Sequence, residues 1–228
     1  MRTFPPEADL PLAELPLRLN IMTQDSYGDS YLTLAEEVKA EITVRGSRFI
    51  AFISPVETEP DAVQYLKSLK ATYHDATHCC YAFIIRSETG HIYRSSDAGE
   101  PAGTAGKPIL AKLKGHKLSN VICVVIRYFG GTKLGVGGLA RAYAESVNTA
   151  LQCGEIVSRF VTGTIRLMFP YEMTGAVERL IAEFNAAIIQ REFGEANIVT
   201  CSIRKNRLEE FSAQFQNITR GKGNVIKE

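Results

Sequence analysis

The sequence predicts an α+β fold in two domains, the second a ferredoxin-like split βαβ unit. Three observations predict it. The chain has 228 residues, more than most single cores use and ordinary for two. After Gly154 the apolar pattern reads β-α-β-β-α-β, the order of a split βαβ. Before Gly154, residues 120–127 (NVICVVIR) form the most apolar run in the chain, β-branched enough for a buried central strand flanked by hairpins. The expected division is a loose leader over 1–24, a first domain over 25–154 and a second over 155–228.

The elements follow in order. Residues 1–24 hold Pro5, Pro6, Pro11 and Pro16 without clean periodicity, which reads as a leader or as an upstream start with the initiator at Met22. Residues 38–45 and 48–55 alternate and turn at Arg45-Gly46-Ser47, a hairpin. Thr58 can cap a helix with Pro60 in its first turn and Asp61 three residues on, running to about residue 71. A second hairpin pairs 79–86 with 91–95 across a turn at 87–90. Residues 96–106 are a loop of small residues, and Pro108 opens a short helix ending near Gly115. Strand 120–127 leads into a glycine-rich stretch, then a helix from about 139 to 153 that stops at Gly154. Beyond it come a strand at 162–169, a helix at 172–184, strands at 187–193 and 198–204, a helix at 208–216 and a strand at 224–227.

Composition narrows the function. Apolar residues are 45% and charged residues 22%, the globular norm. No run of 18 apolar residues and no basic-then-apolar N-terminus exist, so neither a membrane span nor a secretory signal is expected. Five cysteines without CxxC spacing read as reduced thiols of a cytoplasmic protein, and Cys123, inside the apolar run, as a small hydrophobe.

Charge is uneven. Residues 1–100 hold 9 basic and 15 acidic groups, 101–155 hold 7 and 2, and 156–228 hold 10 and 8. Between Glu100 and Glu145 there is no acid, while Lys107, Lys112, Lys114, Lys117, Arg127, Lys133 and Arg141 occur. Such a surface attracts polyanions. Within it, 127–138 carries Gly130, Gly131, Gly135, Gly137 and Gly138 between a strand end and a helix start. Outward N–H groups and the helix dipole favour an anion there. The candidate nucleic-acid or phosphate site is Arg127, Tyr128, Gly130, Gly131, Lys133, Gly135, Gly137, Gly138 and Arg141, with Tyr128 or Phe129 placed to stack a base. The other reading is a tight turn whose glycines only solve a steric problem. Neither a Walker loop nor a well-placed dinucleotide fingerprint is present, so no cofactor is expected.

The 95–106 loop carries Asp97 and Glu100. They form an acid/base pair, joined by His78, or part of a metal site, or else they brace the loop by accepting N–H bonds or pairing with Arg127 or Arg141. His74 and His78 have a helix-face spacing, but His78 opens a strand, so no metal site is expected. Cys79 and Cys80 fall on opposite strand faces, against a thiol nucleophile served by His78.

Three blocks in order then carry a resemblance: His78-Cys79-Cys80-Tyr81-Ala82, the run from Ser96-Asp97 through Gly106-Lys107-Pro108-Ile109-Leu110, and Asn120 through Tyr143. They resemble the IMPACT family, in its bacterial YigZ-type branch, over about 34–228. The chain departs from the family pattern at Ala98, where many members carry a second Asp. The resemblance implies a ribosomal protein S5 domain 2-like N-terminal domain with a left-handed βαβ crossover, and a C-terminal ferredoxin-like domain similar to the last domain of elongation factor G. Eukaryotic relatives regulate translation by competing for an activator of the amino-acid-starvation kinase, partly through a domain this chain lacks. The expectation is a translation-related regulator whose partner is RNA or the ribosome, with a protein partner on the C-terminal sheet and no membrane. The alternative is a hydrolase or transferase acting on a phosphorylated small molecule in a groove between the 96–106 and 127–138 loops.

Overall fold

The structure is a computed structural model that describes residues 29–87 and 90–227. The 1–24 leader, the start at Met22 and the middle of the 87–90 turn lie outside them.

A short strand, β1 (Ser30–Leu34), precedes the first hairpin of β2 (Val38–Val44) and β3 (Ser47–Pro55). Arg45 and Gly46 join these two with φ of 47° and 82°, a two-residue turn with both φ positive, whose twist matches that of the strands. Helix α1 (Glu59–Thr72) opens on the expected capping box between Thr58 and Asp61. Then come β4 (His78–Ser87), β5 (Gly90–Ser96), α2 (Gly106–Gly115) and β6 (Val121–Tyr128). The sheet order is β2-β3-β6-β4-β5 with every neighbouring pair antiparallel. Strand β6 is central and buried from Val121 to Arg127.

Both faces of this sheet are covered, which is why β6 reads as continuously apolar. Cys123 and Val125 pack with Phe49, Ile109 and Tyr143 under α2 and α3 (Gly135–Gln152), while Ile122 and Val124 pack with Phe52, Leu66 and Leu69 under α1. Cys80 and Cys79 fall on these opposite sides, as alternation requires.

Helix α3 begins at Gly135, four residues before the expected start. Glycine's low helix propensity argued for the later start, but Gly135 itself, at φ 71°, turns the chain into the helix. After α3, β7 (Ile156–Phe160) pairs antiparallel with β1 as a two-stranded ribbon. Neither strand was expected from the sequence: each is five residues long, and their partners lie over 120 residues apart.

The rest of the chain is β8 (Thr162–Phe169), a 3-10 turn at Tyr171–Met173, α4 (Thr174–Glu183), β9 (Ala187–Phe193), β10 (Asn197–Arg204), α5 (Leu208–Thr219) and β11 (Asn224–Lys227). Its antiparallel sheet has the order β11-β8-β10-β9. Val199, Cys201 and Ile203 alternate into a core shared with the helices, where Phe184 packs edge-on to Phe211 and Phe169 to Phe215. Among the described residues, no helix is long and apolar enough to cross a membrane.

Candidate functional site

Strand parity decides what Arg127 does. It continues the face of Cys123 and Val125, so it points under α3 and is 4% exposed. Its Nη1 donates to Glu100 Oε1 at 2.5 Å and its Nη2 to Ser47 Oγ at 3.4 Å. The Tyr143 hydroxyl of α3 donates to the same Glu100 oxygen at 2.8 Å. Cys80 Sγ lies 3.3 Å from that hydroxyl and donates to the Asp97 carbonyl at 2.9 Å. His78 Nδ1 lies 3.0 Å from the Ala98 carbonyl and so donates to it, while Nε2 is 3.8 Å from Glu100 Oε2. Burial raises the Tyr143 hydroxyl far above its ordinary range and pushes the Cys80 thiol up to about 12. Cys80 is thus a packed thiol without nucleophilic character.

Asp97 has a separate task. The N-terminal residue before α2 is Ala105, which cannot cap. Asp97 substitutes for a cap: Oδ1 accepts from Ala105 N at 2.9 Å and Gly106 N at 2.8 Å, and Oδ2 from Gly103 N at 2.8 Å. Burial works to raise its pKa, but the three N–H bonds outweigh burial and hold it below 3.8. The contribution of such a group is full above the unfolded value and lost as pH falls through the folded one. Asp97→Asn is therefore expected to cost about 1 kcal/mol at pH 7, allowing for partial exposure. Urea denaturation at pH 7 and pH 3 checks this: the gap between wild type and variant should shrink in acid.

These contacts correct two expectations. His78, Asp97 and Glu100 do not gather as acid/base groups around an open groove; Asp97 caps α2, and Glu100, with a side chain 3% exposed, pairs with Arg127. Nor does Arg127 present its charge to a phosphate. The 96–106 and 127–138 loops close on each other through that ion pair.

The glycines divide by role. A Cβ on Gly130 would lie 1.8 Å from the Gly46 carbonyl carbon, so the β2–β3 turn requires glycine there. Gly131 and Gly135 have φ of 85° and 71°, which disfavours a side chain. A Cβ on Gly138 would be 3.1 Å from Leu134 Cβ. Gly137 differs: it sits in α3, with nothing within 4 Å of a built Cβ and no positive φ. The steric reading covers Gly130 and fails for Gly137.

Around them, Tyr128 is half-buried; its hydroxyl donates to Asp75 at 2.7 Å and Arg48 lies over its ring at 5.4 Å. Phe129 is 47% exposed. Lys133 and Arg141 are exposed, and Arg141 Nε donates back to the Gly137 carbonyl at 3.2 Å. The first turn of α3 has no acid and no side-chain cap, so its N–H groups carry uncompensated positive polarity. Beside it lies a cavity of about 600 Å³ lined by Arg45, Lys112, Leu134, Arg141 and Glu145. Its walls are the β2–β3 turn, α2 and α3, and the 96–106 loop does not contribute. Arg45 was missed because it lies outside the acid-free window; its place at a hairpin tip is the only signal the sequence offers.

Comparison with known proteins gives matches over both halves. Residues 45–151 match the Impact N-terminal domain, and 167–222 match a domain of unknown function, DUF1949. The IMPACT family member YvyE of Bacillus subtilis (strain 168) is 35% identical over 196 residues, 86% of this chain and 90% of its own length. The IMPACT family member YigZ of Escherichia coli (strain K12) is 31% identical over 194 residues, 85% and 95% of the two chains. A crystal structure described as a hypothetical protein superposes with a TM-score of 0.66 at 30% identity, covering 88% of this chain and 98% of its own.

Proposed function

The chain belongs to the IMPACT family, and from that premise we propose that it is a translation-related regulator of the cytoplasm that binds RNA or the ribosome through the start of α3. The observation that carries the proposal is Gly137. Glycine in a helix costs about 1 kcal/mol relative to alanine, and neither φ nor packing asks for it here. Close approach of an outside group would. That approach would occur at an uncapped helix start flanked by Lys133 and Arg141, with Arg45 and Lys112 across the groove. Phosphate is the group such a surface favours. The same reading divides the chain near Gly154 into an S5 domain 2-like unit and a ferredoxin-like unit, whose sheet would offer a protein partner its exposed face.

Salt dependence tests it. Four phosphate contacts on a single strand give a slope of log affinity against log salt near −3, about a fifty-fold loss between 50 and 200 mM. Lys133→Glu with Arg141→Glu should weaken binding and roughly halve the slope. Anisotropy with a labelled RNA checks both, and an affinity indifferent to salt or to the double variant contradicts the reading.

A further inference from the structure

The groove beside the start of α3 holds one acid among its cations. Its helical wall is Gly138, Arg141, Ala142, Glu145 and Asn148, a spacing that places all five on one face of the helix. Glu145 ends the long acid-free stretch, yet it shares the groove with Arg45, Lys112 and Arg141. A carboxylate there repels the phosphates that the cations attract. Ion pairing would account for it, and Arg141, four residues earlier, has the spacing. Arg141 Nε instead donates to the Gly137 carbonyl at 3.2 Å, and among the described residues the Glu145 carboxylate has no ion-pair partner. Asn148, almost one turn further on and half-buried, has no side-chain hydrogen bond among the described residues. Its amide keeps both donors and its acceptor for whatever enters the groove. Val44 and Leu134 pack partly on the core and line the groove with their remaining surface. At about 600 Å³ the space suits a nucleotide.

We infer that this groove reads one unpaired guanine of the RNA, with Glu145 as the specificity-determining residue. The inference rests on the RNA reading of the α3 start and adds the base to it. Guanine carries two adjacent donors on its pairing edge, N1–H and the N2 amino group. The two oxygens of one carboxylate accept both at once, the stronger kind of hydrogen bond. Beside them O6 is an acceptor, which suits the amide donors of Asn148. The other three bases set a single donor group beside acceptors, so repulsion at the carboxylate offsets the one bond gained. The geometry along the helix agrees. Seven residues from Gly138 to Glu145 span roughly 10 Å, of the order of the reach from a nucleotide's phosphate to the far edge of its base. A phosphate held at the open start of α3 thus brings its own base to Glu145, against the apolar surface of Val44 and Leu134. The base must be unpaired, because the edge read is the one that pairing would occupy.

Fluorescence anisotropy tests it with a labelled oligouridine and the same strand carrying one central guanosine, adenosine, cytidine or inosine. The full-length protein should bind the guanosine strand about tenfold tighter than oligouridine. Inosine, which lacks the N2 amino group, should lose most of that gain. Glu145→Gln, at an exposed position, should abolish the preference by weakening the guanosine strand alone. It should hold oligouridine at least as tightly as wild type, because a negative charge leaves the groove. A folding defect would weaken both strands, so the opposite signs separate the two causes. Asn148→Ala should lower guanosine affinity several-fold and leave oligouridine unchanged. Equal loss of both strands in Glu145→Gln overturns the inference, as does a wild-type preference for adenosine or cytidine, or inosine bound as tightly as guanosine. Salt-dependent binding of all five strands with equal affinity also overturns it and leaves the α3 reading standing. A wild type that binds none of them overturns both.

Discussion

Glu100→Gln is expected to destabilise the protein by about 3 kcal/mol and lower its Tm by roughly 6–12 °C. The carboxylate and Arg127 are both buried, with side chains 3% and 5% exposed. Neutralising one partner leaves the other charge in a medium that solvates it poorly. The network has no spare partner to offer: Arg127 Nε already has none, and the Tyr143 hydroxyl already donates to Glu100. Arg127→Met should cost a similar amount. The double variant should cost well under the sum of the two, because the second change removes the charge orphaned by the first. Thermal and urea denaturation followed by circular dichroism give all three values. A Glu100→Gln protein within about 0.5 kcal/mol of wild type would show that this pair does not anchor the loops.

Gly130→Ala should be as damaging, at about 3 kcal/mol or more, for a steric reason. The new methyl would meet Gly46 C at 1.8 Å, Gly46 O at 2.1 Å and Ser47 N at 2.2 Å. All three are backbone atoms of a tight turn, and Gly130 N is itself hydrogen-bonded to Ser47 Oγ at 3.1 Å, so neither side can yield. Gly137→Ala is the matched control. It should stabilise the fold by about 0.5–1 kcal/mol, since the site is helical and open, while weakening RNA binding. Opposite signs of stability change at two glycines seven residues apart would separate the packed glycine from the one kept for approach. Equal losses at both would return the whole stretch to a steric explanation.

The regular elements were legible because their signals are local. The Thr58–Asp61 box, the 45–46 turn and the double-sided burial of β6 each follow from a few adjacent residues. Strands β1 and β7 were not legible, since five-residue segments paired across the chain leave no local trace. The site was half legible. An acid-free run marked a basic stretch of the chain, and Lys133 and Arg141 are exposed in it. Arg127 was placed on that surface by its charge, although counting strand parity from Cys123 turns it inward to Glu100. The resemblance covered Tyr143, but nothing in the sequence says that its hydroxyl joins the Glu100 pair.

The most direct measurement is ultraviolet crosslinking of the tagged protein in cells, comparing wild type with Lys133→Glu plus Arg141→Glu at equal abundance. RNA recovered with the variant is expected to fall several-fold below wild type. Equal recovery from the two proteins would contradict RNA binding at the start of α3.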